Sequence, residues 1–367
     1  MNRLIIIGNG FDIAHGMPTK YSDFVKWYLI ELFSSFETQY FNDDAVQVHK
    51  KNITYTDNKY KSSYIVKCLK EDININSLMG EILNNPLEFT SSNERIPYWF
   101  DFKYPLLKEI CLFYVEKNWV DIENLFYKKL LRLSKLEGID EERNKAVDLL
   151  NKGMDYLKNK LDEYLNTIKL PKFNKEILDI INPRLVTFNN NIEKKYAILN
   201  FNYTSTISRY LETINGDTHY HFPISNIHIH GQINNKIQPL IFGFGDEMDD
   251  HYKILEKTNY NGFLDNMKSF GYFRTDNYQQ IANFIELHEA YEVYIMGHSC
   301  GLSDRVMLNM IFEHHYCKSI KIFYHGDKHS NNYKVLTQEI SRHFNKKNDM
   351  RLKIVPFEDC IPFPQSC

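Results

Sequence analysis

Short apolar runs alternate with polar, helix-forming stretches along much of the chain. The first run, Arg3–Ile7, stops at a glycine-rich turn and predicts a buried strand. Further runs of the same kind lie after residue 184: Arg184–Phe188, Tyr196–Phe201, Asn226–His230, Leu240–Phe244, Val293–Gly297, Ile320–Tyr324 and Leu352–Pro356. Between them the pattern predicts helices near these ranges: Thr204–Thr213, His251–Lys268, Ser303–His314 and Ser330–Asn345. Strands that alternate with helices predict an α/β fold with a mostly parallel sheet flanked by helices.

Helical periodicity dominates the middle of the chain. After the Asn118-x-x-Asp121 pair, which has the form of a helix cap, apolar residues fall on one helix face: Ile122, Phe126, Leu130 and Leu133. A second long helix is predicted from about Glu141 to Leu165, whereas the polar stretch from about Phe41 to Tyr98 predicts loops with short elements. We therefore expect an α/β nucleotide-binding domain made of residues 1–34 and 184–367, interrupted by a large, mainly helical insertion at 35–183.

Composition narrows the class of protein. The 367 residues include 44 Lys and Arg against 47 Asp and Glu, and this near balance argues against nucleic-acid binding through bulk charge. The first apolar stretch, Leu4–Ile7, is too short for a secretory signal, and no window is apolar enough for a membrane span. The six cysteines form no C-x-x-C pair, so neither a disulfide framework nor a four-cysteine zinc site is expected. We therefore expect a cytoplasmic protein with no metal and no membrane partner.

The turn after the first strand is the first candidate for chemistry. It reads Gly8-Asn9-Gly10-Phe11-Asp12 and is followed by Gly16-Met17-Pro18. Glycines allow tight turning and a close backbone approach to a phosphate. The pattern is neither G-x-G-x-x-G nor a Walker loop, because the third glycine comes late and no Lys-Ser/Thr pair follows. An ordinary strand-to-helix turn is the alternative.

Asparagine and histidine follow two later runs. Asn202 is placed to point into the crevice where open α/β sheets bind ligands, unless it or Thr204 only caps the next helix. Histidines then recur with the period of a strand: His219, His221, His228 and His230. Four imidazoles could bind a metal, but no metal-site signature accompanies them. We favour a single working histidine, His230, before Gly231, with the other three in structural or surface roles.

The segment Gly297-His298-Ser299-Cys300-Gly301 matches the nucleophile elbow of serine hydrolases. A catalytic triad with Ser299 would need an aspartate and a histidine. The aspartate could be Asp304 or Asp327, and the histidine could be His325 or His329. Against this, the next helix is predicted to start several residues later, and no His-Gly-Gly oxyanion loop occurs upstream. The alternative is a loop in which Gly297 and Ser299 contact the ribose or phosphate of a nucleotide.

Taken in order, these motifs resemble the bacteriophage abortive-infection AbiH family from residue 4 to about residue 325. The resemblance rests on the glycine turn and three later motifs: Asn202-Tyr203, His230-Gly231, and Gly297-x-Ser299 with Ser303-Asp304. The segment Trp119-x-Asp121-x-Glu123 is similar to the middle of that family. The same order of motifs is more distantly similar to sirtuin-like NAD-binding domains.

The sirtuin-like similarity implies a Rossmann-type sheet that holds NAD across its carboxyl edge. Binding would then fall to the glycine turn and the last loop, namely Gly8, Asn9, Gly10, Phe11, Gly16, Pro18, Gly297, Ser299 and Asp304. Asn202 would lie beside the nicotinamide ribose, His230 would act as general base, and Asp12 would stabilise developing positive charge. The chain departs from the pattern at Asp12, where a serine is usual, and at Lys20-Tyr21, where Phe-Arg is usual.

The zinc-binding cysteines of protein deacylases are missing, so the resemblance implies hydrolysis of NAD at the nicotinamide–ribose bond in phage defence. The residues leave three alternatives open: a module that senses NAD or a related nucleotide without turnover, a serine hydrolase using Ser299, and a metal-dependent nuclease. The implied partner is a small-molecule nucleotide rather than nucleic acid. A homo-oligomer and a phage-derived trigger are both compatible with this role.

Overall fold

The computed structural model describes residues 1–37, 43–50, 58–73, 75–84, 96, 98–112, 118–136, 140–182, 194–216, 224–287 and 289–366. The chain divides into two compact units. The first, called the sheet unit, consists of Met1–Thr19, Leu165–Asn259 and Leu264–Cys367. The second, called the helical unit, consists of Lys20–Tyr164 and Tyr260–Phe263.

A six-stranded parallel sheet forms the centre of the sheet unit. Its strands are β1 (Asn2–Ile7), β4 (Tyr196–Asn200), β5 (Ile224–His228), β6 (Tyr291–Met296), β7 (Cys317–Tyr324) and β8 (Ile361–Pro362). They lie in the order β5-β4-β1-β6-β7-β8, and every neighbouring pair is parallel. Numbered by their succession along the chain, these strands have the order 3-2-1-4-5-6, which is that of Rossmann dinucleotide-binding sheets. The predicted α/β fold is confirmed.

Helices cover both faces of this sheet. They are α1 (Asn9–Ala14), α8 (Lys175–Ile181), α9 (Thr206–Asn215), α11 (Lys268–Tyr272), α12 (Asn277–Ile285), α13 (Arg305–Glu313), α14 (Tyr333–Ser341) and α15 (Lys347–Lys353). The short helix α10 (Tyr252–Glu256) belongs to the same unit. Successive side chains of a strand point to opposite faces, so β1 contributes Leu4 and Ile6 to one core and Ile5 and Ile7 to the other. Burial on both faces explains why β1 is a continuous apolar run rather than an alternating one.

The helical unit combines helices with a small antiparallel pair of strands. Its elements are α2 (Tyr21–Glu37), β2 (Val46–Lys50), α3 (Ser62–Glu71), α4 (Ile75–Leu83), β3 (Tyr98–Phe102), α5 (Pro105–Leu112), α6 (Trp119–Ser134) and α7 (Asp140–Thr167), the last of which ends in the sheet unit. The predicted cap is present, because Asn118 accepts a hydrogen bond from the Asp121 amide and Asp121 accepts one from the Asn118 amide. None of the described helices is long and apolar enough to cross a membrane.

The predicted strand Leu240–Phe244 is wrong. The segment is a loop in which only Phe244 makes an isolated bridge, to Met267. A Cβ at Gly243 would lie 2.0 Å from the carbonyl oxygen of Asn266. This apolar run is therefore buried by close loop packing instead of by pairing in a sheet.

The predicted strand Leu352–Pro356 is wrong as well. It begins inside α15, and within it only Ile354 makes an isolated bridge, to Ile320. The outermost strand of the sheet is instead β8, Ile361–Pro362, whose two residues are too few to show a hydrophobic period.

The single helix predicted over His251–Lys268 is also wrong. Helix α10 ends at Glu256, the left-handed backbone of Asn259 (φ 52°) interrupts the segment, and α11 begins only at Lys268. Helix α12 was not predicted. The predicted strand Arg184–Phe188 and the histidines His219 and His221 lie outside the described residues.

Candidate active site

The loops that follow β5, β4, β1 and β6 lie side by side at the carboxyl edge of the sheet, because these four strands are consecutive neighbours. These loops carry His230, Asn202, the glycine turn and the segment from Gly297 to Asp304. Parallel topology thus brings together motifs that are far apart in the sequence. In sheets with this strand order, ligands bind outside the carboxyl ends where the strand order reverses, which here is between β1 and β6.

Close backbone packing joins the glycine turn to the loop after β6. The Gly10 amide donates a hydrogen bond to the Gly297 carbonyl over 2.8 Å, and the Phe11 amide donates one to the Gly8 carbonyl over 2.8 Å. A Cβ at Gly10 would lie 2.7 Å from the Gly297 carbonyl oxygen. These amides are therefore used within the protein, and the glycines are explained by contact between loops.

The other candidate residues of the glycine turn differ in their burial. Phe11 is fully buried and packs edge-on against Tyr210. The Asn9 carboxamide donates a hydrogen bond to the Thr19 carbonyl over 2.9 Å. Gly16 has φ +75° and is exposed, as is Pro18. Phe11 thus belongs to the core, whereas Asn9, Gly16 and Pro18 lie nearer the surface.

Asp12 is a buried carboxyl group with one unused oxygen. Thr204 donates a hydrogen bond from Oγ1 to Oδ2 of Asp12 over 2.6 Å. The other oxygen, Oδ1, is buried without a hydrogen-bond partner. Burial raises the pKa of Asp12 to about 6, against the opposing effect of the Thr204 and Thr206 hydroxyls. Asp12 is thus tied to the loop after β4 and keeps one acceptor for a donor group.

The backbone of Asn202 is fixed on both sides, while its side chain has a free donor. Its amide donates to Oδ1 of Asn200 over 2.8 Å, and its carbonyl accepts from Nδ1 of His228 over 3.2 Å. The buried Nδ2 group of Asn202 has no hydrogen-bond partner. Ser205 is the cap residue of α9, so neither Asn202 nor Thr204 caps that helix. The Asn202 carboxamide thus keeps one unused donor in a buried position.

His230 forms a buried charge-assisted pair with Asp304. Nε2 of His230 lies 3.1 Å from Oδ1 of Asp304, and Nζ of Lys268 donates to the same oxygen over 2.8 Å. Burial alone would raise the pKa of Asp304, but Lys268, and then His230, hold it well below its usual range. Asp304 is therefore a carboxylate that accepts both bonds.

The partner of Nε2 fixes which nitrogen of His230 is basic. Burial, and then the charge of Lys268, lower the pKa of His230 below its usual 6.5, against the opposing effect of Asp304. The ring is therefore neutral at pH 7, with its hydrogen on Nε2 facing the carboxylate. Nδ1 then carries the lone pair and makes no hydrogen bond with any described residue. The edge of Phe201 and the stacked ring of Tyr272 hold the imidazole in place.

Two residues that contact the His230–Asp304 pair, Lys268 and Tyr272, were not predicted from the sequence. Lys268 comes from the start of α11, 36 residues before Asp304, and no motif marks it. Tyr272 from the same helix places its hydroxyl 3.4 Å from Nε2 of His230. Asp304, which was expected to touch a nucleotide, lies against His230. Only the combination of Ser303-Asp304 with a strand end pointed to this position.

Ser299 is not arranged as a hydrolase nucleophile. Its side chain is exposed, and the described residues include no hydrogen bond between Ser299 and an imidazole. Asp327 is used locally, accepting from the amides of His329 and Ser330. Helix α13 begins only at Arg305, so the loop does not turn directly into its helix as an elbow does.

The remaining candidates have local structural roles. His228 is buried. Its Nδ1 donates to the Asn202 carbonyl, and its Nε2 accepts a hydrogen bond from the Asn226 carboxamide. Asp121 caps α6, and Glu123 is buried on the same helix. Within the described residues, no group of three or more His, Cys, Asp or Glu side chains is placed to hold a metal ion.

The fold and the site define a Rossmann-like α/β protein with a buried histidine–aspartate pair at the carboxyl edge of its sheet. A family model described as "Bacteriophage abortive infection AbiH" matches residues 4–325, and the chain belongs to this family. No curated protein matches the chain. Family membership assigns the protein a role in abortive infection, a form of defence against bacteriophage. The distant sirtuin-like similarity stays a prediction.

Proposed function

We propose that this AbiH-family protein acts in phage defence by hydrolysing NAD at the nicotinamide–ribose bond. The observation that carries the proposal is the neutral His230, held through Nε2 by Asp304 and left with a free lone pair on Nδ1. This base lies at the carboxyl edge of a sheet whose strand order is typical of dinucleotide-binding proteins. Asn202 supplies a free donor at the same edge.

The reaction exchanges one bond at C1′ of the nicotinamide ribose. The C1′–N bond breaks and its electron pair passes to the pyridinium ring, which leaves as neutral nicotinamide. The oxygen of a water molecule bonds to C1′, and one proton of that water passes to Nδ1 of His230. Such a displacement passes through an oxocarbenium-like state, as in glycoside hydrolysis. The products are nicotinamide, ADP-ribose and one proton.

Each residue has a role in this scheme. His230 accepts the water proton, and Asp304 keeps the imidazole in the required tautomer and stabilises the cation that forms. Nδ2 of Asn202 orients a ribose hydroxyl or the water. The free Oδ1 of Asp12 stabilises the developing positive charge. The dinucleotide would extend along the glycine turn and the loop after β6, past the half-buried Asn9 and the exposed Gly16, Pro18 and Ser299. The packed glycines Gly8, Gly10 and Gly297 lie beside this path.

The test measures NAD consumption by purified protein, with nicotinamide and ADP-ribose separated by chromatography and NAD binding measured by calorimetry. His230→Ala and Asn202→Ala are compared with wild type and with His325→Ala, which removes an exposed histidine at the carboxyl end of β7. Because one general base contributes roughly 10²- to 10⁴-fold, His230→Ala should lose that factor while His325→Ala does not. NAD levels are also followed in phage-infected cells expressing each variant, since a trigger derived from the phage would be present there.

Product from wild type and His325→Ala, but not from the other two variants, would support the proposal. Wild-type turnover by His230→Ala would remove that residue from the mechanism. Binding of NAD without product in either setting would instead identify a sensor module. Absence of both binding and turnover would overturn the assignment to NAD.

A further inference from the structure

The loop after β6 contains a backbone conformation that L-residues avoid. Cys300 has φ +54°, in the left-handed region, although it is not glycine. Its side chain is completely buried, so it cannot relax into solvent. A conformation of this kind persists only when its surroundings determine it. The structure must therefore contain groups that hold Cys300.

Two buried histidines hold the two polar groups of the Cys300 backbone. The Cys300 amide donates to Nδ1 of His298 over 3.0 Å. Nε2 of His343, at 2.7 Å, donates to the Cys300 carbonyl. His298 is 5% exposed and His343 is 1% exposed. Neither residue was a candidate from the sequence, and the mechanism above does not use them.

The hydrogen bonds fix the tautomer of each ring. Nδ1 of His298 must carry a lone pair, so its hydrogen is on Nε2, which lies 3.8 Å from Oδ2 of Asp304. Nε2 of His343 must carry a hydrogen, because a carbonyl oxygen only accepts. Burial lowers the pKa of both rings, that of His298 to about 4, so both are neutral at pH 7.

We propose that His298 and His343 are positioning residues, which lock Cys300 in its left-handed conformation and so direct the loop that places Asp304 against His230. Three residues separate Cys300 from Asp304. A change in the backbone conformation of Cys300 would therefore change the direction in which the chain leads to Asp304. The catalytic consequence rests on the proposed function, whereas the geometric one does not.

Substitution by the two amides separates the roles of the ring nitrogens. An asparagine side chain ends near the position of Nδ1 in histidine, and a glutamine side chain ends near that of Nε2. At 298 the acceptor is therefore kept by His298→Asn and lost in His298→Gln. At 343 the donor is kept by His343→Gln and lost in His343→Asn. Each disruptive variant has a matched conservative control, and the two sites require opposite substitutions.

The readout independent of activity is the nuclear magnetic resonance spectrum of protein labelled with ¹⁵N-histidine, with the His230 signals assigned through His230→Gln. Wild type, His298→Asn and His343→Gln should show His230 with its hydrogen on Nε2. His298→Gln and His343→Asn should show a mixture of tautomers, because Asp304 no longer selects one. Their kcat for NAD should fall about tenfold or more, with KM nearly unchanged.

Cys300→Gly supplies a rescue that a merely structural role would not give, since glycine adopts positive φ without support. The double variant Cys300→Gly/His298→Gln should regain the wild-type His230 signals, and melting curves identify any variant that fails to fold. Wild-type His230 signals in folded His298→Gln and His343→Asn would overturn the proposal, as would failure of the rescue in a folded double variant. Altered signals together with an absence of NAD hydrolysis in wild type would support positioning and reject the proposed function alone.

Discussion

The amide of Gly10 donates a hydrogen bond to the carbonyl of Gly297 over 2.8 Å, so the turn after β1 and the loop after β6 are in direct backbone contact. These strands are neighbours at the point where the order of strands reverses. The contact leaves no room for a side chain, because a Cβ at Gly297 would lie 2.2 Å from the amide nitrogen of Phe11. The glycines therefore set how closely the two halves of the sheet edge approach.

Gly297→Ala should destabilise the protein through two effects. Its φ of +75° costs an L-residue about 1–2 kcal/mol, and the close contact with Phe11 adds to that. Gly16→Ala is a matched control, because Gly16 also has φ +75° but a Cβ there would meet nothing within 4 Å. Urea unfolding of both variants measures the difference. Equal losses of stability would show that loop contact is not why Gly297 is needed.

Lys268→Met should be strongly destabilising. Lys268 is 1% exposed, and its removal leaves the buried carboxylate of Asp304 without its cation, a change that typically costs about 3–5 kcal/mol. The control is Lys145→Met, which breaks an exposed pair with Glu141 and should cost about 0.5 kcal/mol or less.

Urea unfolding of the two lysine variants gives these values. The double variant Lys268→Met/Asp304→Leu should recover part of the loss, since it removes both charges together. If Lys268→Met were as stable as wild type, Lys268 would not stabilise the Asp304 carboxylate.

Turnover of NAD should be lost on acidification and level at neutral pH. His230 must be neutral to accept a proton, and burial together with Lys268 lowers its pKa below 6.5. The fraction of enzyme with neutral His230 is therefore full at pH 7 and falls as the pH drops through that lowered pKa. Protonation of Asp12, whose pKa is about 6, adds a loss of turnover at the upper end of this acid range. The profile of kcat/KM from about pH 5 to pH 8 tests this. A rise that continues above pH 7 would identify a base other than His230.

The sequence predicts the sheet edge better than it predicts the groups that meet there. Strand β1 could be found because it is buried on both faces, and Asn202 and His230 because carboxyl ends of parallel strands share one edge. Lys268 could not be found, since it reaches Asp304 from a separate short helix. Strand β8 is likewise hidden, because its edge position depends on pairing with β7 and not on its own pattern.

The glycine turn shows a different limit. A glycine-rich pattern at a strand end shows that a side chain does not fit, but it does not show which neighbour excludes it. Phosphate was one expected neighbour, and the structure shows that the Gly297 loop also lies beside Gly10. His298 illustrates the same limit, because its partner is the amide of Cys300, two residues on, and only the left-handed backbone there reveals the need for it.

Ionisation of Asp12 should lower the stability of wild type as the pH rises. Asp12→Asn should not show this loss. Burial raises the pKa of Asp12 from 3.8 to about 6, so the folded state binds this proton more tightly than the unfolded state does. The group therefore stabilises the fold fully below about pH 4, and this contribution is lost as the pH rises through about 6. The difference amounts to about 3 kcal/mol at pH 7. Asparagine does not ionise, so the stability of Asp12→Asn relative to wild type should improve by up to that amount between pH 4 and pH 7, while NAD turnover falls.

Urea unfolding at several pH values measures how stability depends on pH. Asp327→Asn is the control of opposite sign, because hydrogen bonds from Ser330 and His329 lower the pKa of that exposed carboxyl. If Asp12→Asn kept the pH dependence of wild type, Asp12 would be ionised without penalty and its free oxygen would have to be satisfied by another group.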